Sequence, residues 1–248
     1  MALSLVEILA EHDEINQDAL ADSFVNRFER HRGYGPAMYD LIPQLGQGGA
    51  WRTASRSLFN GSGSFGNGGA MRVAPLGAYF ADDLGAVVEH AARSAEVTHA
   101  HPEGIAGAVA VAVAAAISCG MGATQKWHKG AAFIEQVCPH IPAGTEVRRR
   151  VEATIVLPAD LNFGEIVRQV GNGTAVTAQD TVPYTIWRAA HYLDSYEEAL
   201  WRTAAGMGDM DTTCAIVGGI VAGGIGRAAI PAKWLDYRES LPDWAVFD

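Results

Sequence analysis

Gly104-Ile105-Ala106-Gly107-Ala108-Val109-Ala110-Val111-Ala112-Val113-Ala114-Ala115-Ala116-Ile117-Ser118-Cys119-Gly120-Met121-Gly122-Ala123 carries no charge over twenty residues. By length alone it could span a bilayer. Its side chains are mostly Ala, Gly and Val, with His99, His101 and Glu103 just before it. A helix that is small and apolar on every side fits the centre of a helical protein, where neighbouring helices press close against it. The expectation is a buried helix over 103–118 and an all-α fold around it, with no membrane as a partner.

The sequence on either side agrees. Leu3, Leu5, Val6, Ile8 and Leu9 form one apolar stripe, and Ala19, Leu20, Phe24 and Phe28 form another at three- and four-residue spacing. A short helix through Met38, Leu41 and Ile42 follows Gly33-Tyr34-Gly35-Pro36. Residues 45–69 read as loop, because Gly46, Gly48, Gly49, Gly61, Gly63, Gly66, Gly68 and Gly69 crowd there. Asp82 or Asp83 is placed to cap a helix through Leu84, Val87, Val88 and Ala91. Further helices are predicted near 129–138, 145–156, 162–170, 181–192, 195–206, 212–223 and 231–238. Only brief β-branched clusters such as Thr154-Ile155-Val156 hint at strand. No repeat or linker interrupts the pattern, so residues 1–248 are expected to form one all-α domain.

Apolar residues make up 49% and charged residues 19%, enough for a core and unlike a disordered chain. The net charge is −10, and no basic run exceeds Arg148-Arg149-Arg150. A protein that tracks a phosphate backbone needs a basic face, so direct nucleic-acid binding is excluded as the main role. One nucleotide held by a metal and backbone amides stays open. Cys119, Cys138 and Cys214 are odd in number and far apart, which implies reduced thiols and a cytoplasmic setting. Residues 1–12 lack the basic start of a signal peptide and carry Glu7 and Glu11.

Three segments could carry chemistry. Gly208-Asp209-Met210-Asp211-Thr212-Thr213 sets carboxylates and hydroxyls at a predicted helix start, ahead of the apolar run Ala215 to Ile225. Such hard oxygen donors suit Mg²⁺ or Mn²⁺; taken alone, though, the segment reads first as a helix cap. Residues 61–66 match GxGxxG inside Phe59-Asn60-Gly61-Ser62-Gly63-Ser64-Phe65-Gly66-Asn67-Gly68-Gly69, yet no strand precedes them, so the dinucleotide fold is not implied. Glycines there would let amides approach anionic or sugar oxygens, and Phe59 and Phe65 offer flat faces for a base. The competing reading is a flexible loop. Thr98-His99-Ala100-His101-Pro102-Glu103 lacks the ligand set of a zinc site, so loop hydrogen bonding is expected of His101. No Gly-x-Ser-x-Gly elbow or activated cysteine occurs.

Together these segments resemble the ADP-ribosylglycohydrolase (ADP-ribosylhydrolase) family. The resemblance rests on Gly33-Tyr34-Gly35, Phe59-Asn60-Gly61, the block from Gly63 to Pro75, Thr98-His99, Gly171-Asn172-Gly173 and Gly208 to Thr212, in family order over nearly the whole chain. The branch that removes ADP-ribose from serine and trims poly(ADP-ribose) is the most similar. The resemblance implies one all-α domain and two Mg²⁺ beside the ADP-ribose, with Asp209, Asp211 and Thr212 as metal ligands. It implies that Phe59 and Phe65 flank the adenine. Gly63, Ser64, Gly66 and Asn67 would line the ribose and diphosphate, and His99 would contact the ligand. The implied activity is Mg²⁺-dependent hydrolysis of an N- or O-glycosidic bond joining ADP-ribose to a protein side chain or to another ADP-ribose. ADP-ribosylated proteins or small molecules containing ADP-ribose would be the partners.

Two departures from the family pattern stand out. In the family a Thr-Asp-Asp-Thr motif precedes a Met-x-x-x-Leu helix, and Met1-Ala2-Leu3-Ser4-Leu5 looks like that helix. The other metal ligands and the catalytic Glu are thus expected upstream of Met1. Met210 stands where the family usually has Thr. A nucleotide-binding module with impaired turnover, or a crystallin-like structural relative, is the alternative.

Overall fold

A computed structural model describes residues 1–245; the last three of the domain expected over 1–248 lie outside the described residues. In chain order the helices are α1 (Ala2–His12), α2 (Gln17–Asn26), α3 (Met38–Gly46), α4 (Trp51–Gly61), α5 (Gly68–Met71), α6 (Ala74–Tyr79), α7 (Leu84–Glu96) and α8 (Pro102–Thr124). They continue as α9 (Ala131–Val137), α10 (Glu146–Ala153), α11 (Phe163–Val170), α12 (Ala178–His191), α13 (Tyr196–Ala204), α14 (Met210–Ile225) and α15 (Ala232–Tyr237). No strand forms among the described residues, and the fold is all-α as the periodicity predicted.

Helix α8 is the axis. It is long and apolar enough to cross a membrane, yet 78% of its most apolar window is buried inside the protein. Helices α5, α6, α7, α10, α12 and α14 pack around it. Its small side chains make that possible, because each neighbour can approach almost to the backbone. At the crossing with α14, a β-carbon on Gly122 would overlap the Gly224 carbonyl oxygen, so the helices touch main chain to main chain there. The helix runs past the expected 118 to Thr124 and stops at Gln125, whose φ is 55°.

Caps anticipated from the sequence form. Asp83 Oδ1 accepts from the amides of Gly85 (2.9 Å) and Ala86 (3.1 Å). Glu103, in the first turn of α8, accepts from the amides of Glu146 (2.7 Å) and Val147 (2.9 Å), and so holds the start of α10.

One expectation needs correction. Residues 45–69 are not loop throughout, since α4 occupies their centre. The surrounding glycines masked it; Trp51, Ala54 and Ser55 repeat at helical spacing and bury one face. The helix breaks at Leu58, and Phe59 and Asn60 turn into left-handed conformations (φ 52° and 59°). Residues Thr154–Val156, the β-branched cluster, form a 3₁₀ turn.

Candidate active site

Four loops meet at the N-terminal end of α14: residues 59–69, 98–101, 171–177 and 207–209. The glycine-rich loop joins the 171–177 loop through an antiparallel bridge between Gly66 and Thr177. Its hydrogen bonds run from the Asn67 amide to the Val176 carbonyl (3.2 Å) and from the Ala178 amide to the Phe65 carbonyl (2.9 Å).

Asp209 stands at the N-cap position of α14, but its side chain makes no capping bond. Its Oδ2 instead accepts from Asn67 Nδ2 at 2.7 Å, and the same Nδ2 donates to Thr181 Oγ1 at 3.0 Å. The capping alternative therefore fails for Asp209. Burial pushes its carboxyl pKa up; the Asn67 bond opposes that, and hydrogen bonding with neighbouring Asp211 adds to it. A cation beside the pair would relieve the crowding of negative charge. Thr212 is buried, and its hydroxyl lies 3.9 Å from the Met71 sulfur. Two carboxylates and a hydroxyl suit one hydrated hard cation, which keeps several waters and takes only one or two protein carboxylates. They do not make a two-ion cage. Among the described residues no group of three His, Cys, Asp or Glu side chains gathers to bind a metal.

The glycine loop is fixed in place, contrary to the flexible-loop alternative. Gly63 (φ +74°) lies against Ala100 and His101, where a β-carbon would come within 2.7 Å of the His101 amide nitrogen. Ser64 is buried, and its Oγ accepts from the Gly66 amide at 3.2 Å. Asn67 is also buried, its amide turned to Asp209 rather than outward. Phe59 and Phe65 are exposed at 57% and 38%, with ring centroids 6.3 Å apart and planes 33° apart. A flat ring held between two others needs about 7 Å, twice the van der Waals contact distance. A small outward swing of Phe59 would open that slot. His101 sets its edge against Phe65 (5.2 Å), and its Nδ1 caps α8 by accepting from the Glu103 amide at 3.1 Å.

His99 lies beneath this loop at 6% exposure, its pKa pushed down to about 3 by burial and by the positive charge of Arg72. Its Nδ1 pairs with Thr98 Oγ1 at 2.7 Å.

Several residues that shape the site were not assigned roles from sequence. Asn172 Nδ2 donates to the Gly206 carbonyl (2.9 Å), and its Oδ1 accepts from the Thr174 amide and hydroxyl. Gly208 (φ +70°) presses on Asn172 so closely that a β-carbon would collide with it. Left-handed φ at Phe59, Asn60, Val176 (55°) and Met207 (53°) falls on the loops bordering the site. For β-branched Val176 this is a real strain, of the kind that collects where function over-determines the backbone. The Gly-Asn-Gly turn signal at 171–173 was visible; the partner 34 residues away was not.

Fold and site together define an all-α domain whose candidate site is built from glycine-rich loops at helix ends. The chain belongs to the ADP-ribosylglycohydrolase family, whose profile matches residues 1–246. Family membership makes it a glycohydrolase. It is 28% identical to ADP-ribosylhydrolase ARH3 of Xenopus tropicalis over 276 residues, covering 98% of this chain and 77% of that protein. With the Homo sapiens ADP-ribosylhydrolase ARH3 the identity is 25%, over 94% of this chain and 71% of that one. An uncharacterized protein of Archaeoglobus fulgidus is 32% identical, over 91% and 71%. The solved structure of an "ADP-ribosylglycohydrolase-related protein complex" shares the fold, with a TM-score of 0.67 at 22% identity over 95% of this chain and 72% of that one.

Proposed function

We propose that this site binds an ADP-ribosyl group and serves Mg²⁺-dependent hydrolysis of the glycosidic bond that joins ADP-ribose to a protein side chain or to another ADP-ribose. The observation that carries the reading is the Asn67–Asp209 hydrogen bond, 2.7 Å long. It ties the glycine-rich loop that carries Phe65 directly to the carboxylate that starts α14, so the groups suited to a base and a diphosphate and those suited to a cation belong to one connected framework.

In this reading Phe59 and Phe65 take the adenine, and the loop through Gly63, Ser64 and Gly66 approaches the diphosphate with its backbone. Asn67 serves the site through Asp209. His99 supports the loop from below and contacts the ligand. Asp209, Asp211 and Thr212 would hold Mg²⁺, which would orient ribose hydroxyls and polarise the anomeric centre. The glycosidic bond would break through an oxocarbenium-like ribosyl centre; water would give its hydroxyl to the anomeric carbon, and the departing oxygen or nitrogen would leave with the proton. The free thiols suit a cytoplasmic protein acting on modified proteins.

The test is release of ADP-ribose from an ADP-ribosylated peptide as Mg²⁺ is titrated, with Asp209→Ala alongside. Magnesium-dependent release that Asp209→Ala abolishes supports the reading; unchanged release in that variant removes the metal assignment.

A second reading is ADP-ribose binding without turnover. It is favoured because no third carboxylate or histidine joins Asp209 and Asp211 among the described residues, and hydrolysis needs a group to handle the proton. Calorimetric binding of ADP-ribose with no release from the peptide would select it.

A further inference from the structure

Arg72 is buried at the junction of α1, α2 and α7, and at 3% exposure it has no carboxylate partner among the described residues. Its guanidinium lies over the Phe24 ring (4.8 Å) and donates from Nη2 to the Ser94 carbonyl (2.9 Å) and to Thr98 Oγ1 (2.8 Å). Burial pulls its pKa down to about 9, so the group is still ionised at neutral pH.

Arg72 Nε is buried without a partner, but from Nη2 onward the hydrogen count through Thr98 to His99 is fixed. A guanidinium only donates, so Thr98 Oγ1 must accept from it. Thr98 is fully buried, so its one hydroxyl proton cannot go to bulk water. The acceptor within reach is His99 Nδ1 at 2.7 Å. Nδ1 therefore carries no proton, and the proton of the neutral ring sits on Nε2. That nitrogen faces the glycine-rich loop: it lies 3.0 Å from where a β-carbon on Gly68 would be and 3.5 Å from the same point on Gly66. It has no hydrogen-bond partner among the described residues, and while the residue is only 6% exposed, Nε2 is not one of its fully buried atoms and stays reachable from outside.

We infer that Arg72 and Thr98 are positioning residues that fix His99 as the Nε2–H tautomer, so that the site presents one uncharged donor to an acceptor oxygen of the ligand, of the phosphate or ribose kind. The ring reads an acceptor and adds no charge. The ligand half of this inference rests on the ADP-ribosyl reading above; the protonation of the ring does not.

The experiment is long-range ¹H–¹⁵N correlation NMR on the full, ¹⁵N-labelled chain from about pH 5 to about pH 8, across the usual histidine titration, with and without ADP-ribose. The expected result is an unprotonated Nδ1 and a protonated Nε2 for His99 throughout, with the Nε2 proton shifting when ADP-ribose is added. Thr98→Val keeps the shape but removes the hydroxyl. It is expected to lose the tautomer preference and weaken ADP-ribose binding about tenfold, the scale of one hydrogen bond to a buried group, while Thr98→Ser retains both. An Nδ1–H ring in the unaltered chain overturns the inference, and so does a Thr98→Val protein that keeps both tautomer and affinity. If Thr98→Val does not fold, the ring assignment in the unaltered chain decides by itself. An Nε2–H ring in a protein that fails to bind ADP-ribose removes the functional reading and leaves the tautomer relay standing.

Discussion

Asn67 and Asp209 lie 142 positions apart in the chain, and Asn67 Nδ2 reaches Asp209 Oδ2 across 2.7 Å. The bond draws the Asp209 side chain away from the free amides of its own helix, where a cap residue would ordinarily place it. The carboxylate is left facing Asp211, and the pair repels itself unless a cation or a proton intervenes.

If Asp209 holds Mg²⁺ as proposed, replacing Asn67 by Ala should act on the metal more than on the nucleotide. The expected change is a rise of about 10- to 100-fold in the Mg²⁺ concentration needed for half-maximal ADP-ribose release, the usual effect of losing an outer partner to a ligating carboxylate. Stability should fall by about 1 to 3 kcal/mol, because Thr181 Oγ1 also loses its donor in a buried place. A magnesium titration and a urea melt measure the two effects separately. An unchanged Mg²⁺ requirement would show that Asn67 only packs.

Gly208→Ala tests the backbone instead. The residue has φ +70°, and a β-carbon would run into Asn172, whose side chain holds the Gly206 carbonyl. The strain should cost about 2 kcal/mol or more and displace Asp209 from Asn67. Urea denaturation should show the loss of stability, and release of ADP-ribose should fall with it. A variant as stable as the parent would mean the 206–209 turn has room to relax.

The helices were legible because their apolar spacing is local. Leu5, Ile8 and Leu9 announce α1, and the run from Gly104 to Ala123 announces a helix that only other helices can surround. The exception, α4, hid because glycines at 46, 48, 49, 61 and 63 outweighed a short buried face at Trp51, Ala54 and Ser55. The site was legible as residue types and not as roles. By itself Asp209 reads more readily as a cap than as a ligand, since what turns it from its own helix is Asn67, which is remote in sequence. Ser64, Asn67 and His99 stood out as ligand-facing residues, yet their burial and internal hydrogen bonds make them parts of the framework as well. Thr98, Asn172 and Thr181 carry no sequence signal of their roles, because each is defined by a partner that the fold brings in.

Acid should destabilise the protein through its buried histidines. His90 Nδ1 accepts from the Ile15 amide at 3.3 Å, tying the α1–α2 turn to α7, and its ring stacks on Phe80 at 4.6 Å. Burial and then Arg93 pull its pKa down, and Glu89 and Glu14 oppose them. His99 and His191 are also lowered, chiefly by burial. A lowered folded pKa means that the unfolded chain binds more protons. This contribution is therefore complete above about 6.5 and is lost as pH falls below that value toward the folded pKa. Urea midpoints should drop steadily from pH 7 to pH 5. In His90→Asn the side-chain oxygen can still accept from Ile15 without titrating, so the drop should be shallower. An equal slope in both proteins would clear His90 of the effect.

Phe59 offers the sharpest separation of binding from folding. Its ring is 57% exposed and touches Phe65 as its aromatic neighbour, so Phe59→Ala should change stability by no more than about 0.5 kcal/mol. If the two rings hold a base, removing one should weaken ADP-ribose binding by about 1 to 3 kcal/mol, the range for stacking a base on an aromatic side chain. Ribose 5-phosphate has no base to stack, so its weaker binding should be the same in parent and variant. Calorimetry with both ligands makes the comparison. Equal losses for the two would mean that Phe59 shapes the loop, and equal affinities for ADP-ribose would place the base elsewhere on the surface.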